Sequence, residues 1–151
     1  MALSIIIILY LCIGLMSAAG SVAISRKVFS VKSEQIFFGL FLVAIASFYL
    51  AFTAYFGNEG AWRLETGAVA GFAILGVLGT RVSALLILGY VLHGFWDLLH
   101  ELHAHGGLDF DGSAEIPLGY GVFCATYDWC MAAYFYTRRR QWRGAWEAQA
   151  Q

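Results

Sequence analysis

Residues 93–105 read His93-Gly-Phe-Trp96-Asp97-Leu-Leu-His100-Glu101-Leu-His103-Ala-His105, and all four histidines of the chain lie among them. On a helix, at about 100° per residue, His93, Asp97 and His100 fall within an arc of roughly 60°, flanked by Trp96 and His103 on one side and Glu101 on the other. Two imidazoles and a carboxylate in a row are the nitrogen and oxygen donors that zinc or iron takes. A second stripe follows, in which Cys124, Asp128 and Met131 are spaced by about one helical turn, with Tyr120 and Tyr127 near the same face. His93, Asp97, His100 and Asp128 are therefore the candidate metal ligands, and Cys124 is an alternative sulfur donor. Asp97, Asp128 and Tyr127 are the groups placed to do chemistry. Zinc with an open position lowers the pKa of bound water to about 7, for attack on an ester, amide or phosphoester, whereas iron would move the chemistry to oxidation. A metal-dependent hydrolase or oxidoreductase acting on a lipid-like or small apolar molecule follows from that site. Haem comes behind, because His93 and His100 on one helix stand about 10 Å apart by rise and cannot bracket one iron.

Two other roles fit the same residues. Intramembrane Asp and His also build proton or ion relays, which would make the chain a small carrier that needs no metal. A hydrogen-bonded polar seam that fixes helix packing around trapped water is the third, as in an accessory membrane subunit. In all three the acids face inward, since an ionised Asp near a bilayer centre costs about 3 kcal/mol.

The elements that position these stripes are membrane spans. The 151 residues are 60% hydrophobic and 17% aromatic but only 13% charged, well below the roughly 25% of a soluble domain. With 17 Gly and a single Pro, the apolar runs favour an all-α bundle over a barrel. Spans of about 20 residues are expected over 2–24, 36–56, 82–103 and 118–137, with a shorter fifth over 62–79 that keeps Arg63 and Glu65 in the headgroup layer. Four spans, with 67–103 crossing once, are the alternative. With five, Arg26, Lys27, Lys32, Arg81 and the basic tail 138–151 share one side, so eight of the nine Lys and Arg residues lie together. The positive-inside rule makes that side cytoplasmic and puts the N-terminus outside. The chain then forms a single transmembrane domain of a multi-pass protein in a cell membrane, the bacterial inner membrane being the expected one.

Lesser features bound the function further. Nucleic-acid binding has no support beyond the short run from Arg138 to Arg143, which reads as an anchor on anionic lipid. Gly67 and Gly71 form a GxxxG pair that would let a helix approach closely, within the chain or in a homo-oligomer. Asp109, Asp111 and Ser113 match the start of a calcium loop whose remaining ligands are missing. Trp62, Trp142 and Trp146 fall at span edges as belt residues. Trp96 and Trp129 each adjoin an acid that an indole N–H could reach. Cys12, Cys124 and Cys130 are an odd number in apolar stretches and argue against a disulfide framework. No Lys or Arg precedes the first apolar run, so a retained span is expected rather than a signal segment.

The pattern His93-x-x-Trp96-Asp97-x-x-His100 in one span, with Tyr127-Asp128 in the next, resembles a family of small bacterial membrane proteins of unknown function over roughly the C-terminal third. That resemblance implies a compact helical bundle with the polar stripe inside and no activity to transfer. The chain is also loosely similar to intramembrane zinc hydrolases of the alkaline ceramidase and progestin receptor kind, which combine His and Asp on several spans. It has fewer spans than those and lacks their His-x-x-x-His motif.

Overall fold

A computed structural model describes residues 2–148. Five long helices follow one another: α1 (Ala2–Val28), α2 (Val31–Phe56), α3 (Trp62–Gly79), α4 (Ser83–Ala104) and α5 (Tyr120–Glu147), with a 3-10 turn over Glu59–Ala61 leading into α3. No strand occurs among the described residues. Local chemistry sets the boundaries. Ser30 caps α2, its hydroxyl accepting from the Ser33 N–H at 3.3 Å, and satisfies a backbone donor that the first turn leaves free. Gly57 ends α2 at φ 70°, the left-handed turn at which a side chain would be strained.

Four helical segments are long and apolar enough to cross a membrane: α1, α2, Glu59–Gly79 and α4. They mark a multi-pass membrane protein. α5 is less apolar because Asp128 and four tyrosines interrupt its first 18 residues. It is nevertheless the helix against which α4 packs most extensively, and α1 also lies along it. α2 packs on α3, and α3 on α4, whereas α1 meets no helix other than α5 to a comparable extent.

Glycine sets the closest approaches. A Cβ on Gly39 would stand 2.6 Å from the Gly76 carbonyl oxygen, so α2 and α3 touch backbone to backbone there. A methyl group on Gly121 would run into the carbonyl of Asp97, so its absence lets α5 close on α4 beside the polar stripe. Gly67 and Gly71 meet nothing within 4 Å, because the face of α3 that carries them is turned away from the bundle.

At the Arg-rich end the fold departs from a simple tail. Residues 138–147 continue α5 and dock back on the start of α2, while 149–151 lie outside the described residues. Glu34, buried, accepts from Tyr134 Oη at 2.5 Å, Arg138 Nη2 at 2.8 Å, Arg138 Nε at 3.0 Å and Trp142 Nε1 at 3.0 Å. Trp142 is therefore a core residue rather than a belt residue. Trp146 donates to Gln35 Oε1 at 3.0 Å and lies under the Arg81 guanidinium, 4.0 Å from its carbon. A buried carboxylate needs such partners, and Glu34 finds them only if α5 runs past the apolar stretch.

Candidate metal centre

α4 and α5 turn their acids and one imidazole toward each other. His93 Nδ1 lies 2.6 Å from Asp128 Oδ2 across the two helices, and 3.1 Å from Asp97 Oδ2 one turn along its own. All three side chains are buried, and one donor atom from each falls within 4.8 Å of the others. Helical spacing explains the contact with Asp97, since residues four apart share a face. The close approach at Gly121 explains the contact with Asp128.

The trio is held from outside and incompletely satisfied within. Tyr49 on α2 donates its hydroxyl to Asp97 Oδ1 at 2.5 Å, a short charge-assisted bond that turns the other oxygen toward His93. The Phe72 ring meets the His93 ring edge-on at 4.9 Å. Yet His93 Nε2, Asp97 Oδ2 and Asp128 Oδ1 are buried with no hydrogen-bond partner. Nδ1 carries at most one hydrogen and faces two carboxylates, so a single proton there cannot serve both.

His100 is not part of this cluster. Its Nδ1 lies 2.9 Å from the Trp96 carbonyl oxygen and its Nε2 2.9 Å from Glu65 Oε1, which occupies both ring nitrogens away from His93. Glu65 is fully buried, because residues of the 105–119 connection fold over it: the Ala114 N–H donates to its Oε1 at 2.8 Å. Glu101 holds the far end of the same connection, accepting from the Gly119 and Gly121 N–H groups at 3.0 and 2.9 Å and meeting His105 Nε2 at 2.7 Å. His103 Nδ1 accepts from the Phe110 N–H at 3.1 Å. The connection is therefore a pinned cap over this end of the bundle.

The remaining predicted residues line a cavity beside the trio. Tyr127 donates to Ser21 Oγ on α1 at 3.1 Å, away from the three ligand atoms. Tyr127, Cys124, Tyr120 and Asp128 form one wall of a space of about 630 Å³ between α1, α2 and α5. Neither indole reaches an acid: Trp129 Nε1 donates to the Val91 carbonyl at 3.3 Å, and Trp96 Nε1 is unpartnered.

Tyr49 and Glu65 are the functional residues that sequence reasoning missed. Nothing separates Tyr49 from the other aromatics of α2. Glu65 was legible as an acid only one turn from an apolar run. Comparison with known proteins adds one finding: a model described as a family of unknown function (DUF6010) matches residues 7–141. No curated protein and no solved structure matches the chain, so the likeness to zinc hydrolases rests on residue types alone.

Proposed function

The chain belongs to the DUF6010 family of unknown function, which brings no activity with it, and from the geometry we propose that His93, Asp97 and Asp128 hold a divalent metal ion that serves chemistry on a lipid-like molecule. The observation that carries this is the convergence of a buried imidazole and two buried carboxylates, each of which also keeps one nitrogen or oxygen without a hydrogen-bond partner. Two ionised acids and a neutral imidazole bring a charge of −2 into an apolar bundle, and one divalent ion cancels it. One nitrogen and two carboxylate oxygens suit zinc, manganese or ferrous iron. An ion held by three protein ligands keeps a position free and supplies activated water for hydrolysis, or a redox centre if it is iron.

The protein's own groups have separable tasks in this scheme. Tyr49 orients Asp97, Phe72 limits rotation of the imidazole, and the cavity beside Asp128 admits the substrate. The fully buried Leu42, Leu86, Met131 and Phe135 fill the bundle between the trio and the Glu34 cluster. That apolar layer speaks against a carrier, which needs a polar route to both ends. We place α5 as a fifth span, since it lies along α4 at matched depth, and the Arg-rich end in the cytoplasm of a bacterial inner membrane.

Purification in mild detergent followed by elemental analysis tests this reading. About one divalent ion per chain is the expected result, removable by chelation and restored by titration. Protein that stays metal-free after exposure to zinc, manganese and ferrous iron overturns it. Tyr49→Phe is expected to weaken ion binding by about 10- to 100-fold, the usual cost of losing a group that orients a ligand, while the chain remains folded. Competition against a chelator of known affinity measures that loss.

A further inference from the structure

We infer that the substrate is an uncharged single-chain amphiphile with one hydroxyl or carbonyl oxygen, entering sideways between α1 and α2 and resting that oxygen beside Asp128. This rests on the metal reading for its chemistry and for the neutrality of the site, and the rest of its evidence lies in the cavity. α1 and α2 are joined by the two residues Phe29 and Ser30, yet α1 packs along α5 and leaves the space between itself and α2 open. The cavity of about 630 Å³ occupies that space, a volume within the range of small-ligand sites. Phe48, one of its walls, is 50% exposed, so this wall reaches the outer surface of the bundle.

The walls divide by chemistry. α2 contributes Phe41, Ile45, Phe48 and Phe52, all apolar, which suit a hydrocarbon chain. α1 and α5 contribute the neutral polar groups Ser17, Ser21, Tyr120, Cys124 and Tyr127 around the apolar Phe123, with Asp128 beyond them. No Lys or Arg lines the cavity. A phosphate or carboxylate head would thus lose its water and meet no Lys or Arg, beside an ion whose charge the two acids already cancel, so nothing there repays its desolvation. A cationic head gains nothing either, because the ion cancels the charge of the acids. A hydroxyl or carbonyl needs only the hydroxyl partners present, and its hydrogen-bond requirement is met by one or two of them.

The test uses the full chain in lipid nanodiscs, with metal content measured on the same sample. Four photoreactive diazirine probes of equal chain length are compared: a fatty alcohol, a fatty acid, a quaternary ammonium amphiphile and a phosphatidylglycerol. Preferential cross-linking of the alcohol to peptides of α1, α2 and α5 is expected, with at least tenfold less labelling in Ile45→Trp at unchanged metal content. Ser21→Leu, smaller in its effect on packing, should also lower labelling. Equal labelling by all four probes means ordinary bilayer lipid and overturns the inference. So does preference for a charged probe, or labelling that neither variant changes in folded protein. Selective alcohol labelling of a chain that holds no metal would sustain the cavity assignment and remove the metal reading, so the two fail separately.

Discussion

Replacing Asp128 by Asn is expected to lower affinity for a divalent ion by on the order of 100- to 1000-fold, the loss of one of three protein ligands and one of two negative charges. That corresponds to about 3–4 kcal/mol. The substitution preserves shape and leaves a neutral carbonyl oxygen where the carboxylate stood, so His93 keeps an acceptor and the bundle keeps its packing. Titration against a competing chelator, with zinc or manganese as the probe, measures the shift. Asp109→Asn, in the connection between α4 and α5 and outside the trio, is the control and should bind as the parent does. Undiminished affinity in Asp128→Asn would mean that the ion, if present, sits elsewhere.

The largest effect on stability is expected at the second polar pair. His100 and Glu65 are both fully buried and 2.9 Å apart, and removing one partner from a buried pair costs about 3–5 kcal/mol because the other is left without compensation. His100→Ala should therefore unfold far more readily in denaturant or harsh detergent than the parent. Adding Glu65→Leu removes the acid, leaves the Ala114 N–H without its acceptor, and should recover part of the loss, since apolar replacement of a whole buried pair is often neutral. Metal content separates the two clusters: His100→Ala should bind the ion as the parent does once folded. A loss of affinity as large as that in Asp128→Asn would return His100 to the ligand set and require the trio to be redrawn.

These two variants also mark how far the residues themselves told the story. That His93 and Asp128 belong to one site was legible because helix period fixes which side chains share a face. The same period put His100 on that face, yet it could not tell which neighbour would claim the ring. That was decided by Glu65 on α3, whose burial depends on the 105–119 connection folding over it. Contacts made by irregular chain have no period to betray them. Tyr49 was invisible for a different reason: α2 is apolar around nearly its whole circumference, so pattern does not mark the one tyrosine that faces Asp97. The five helices were readable from apolar runs, but the continuation of α5 to Glu147 was not, because its Arg-rich sequence suits a solvated tail until Glu34 is found to need Arg138 and Trp142.

The solitary packing of α1 along α5 has a consequence for biosynthesis. About 90 residues are translated after α1 before its partner begins, which at 5–20 residues per second is roughly 5–20 s. Through that interval α1 lacks the helix it packs on, and its strongly apolar composition suits it to wait in lipid at little cost. α4 has no such tolerance, since His93 and Asp97 emerge from the ribosome before Asp128 exists. α5, made after α4, is thus the helix that closes both the scaffold and the acidic trio, and a nascent chain halted before residue 120 leaves His93 without its partner on α5.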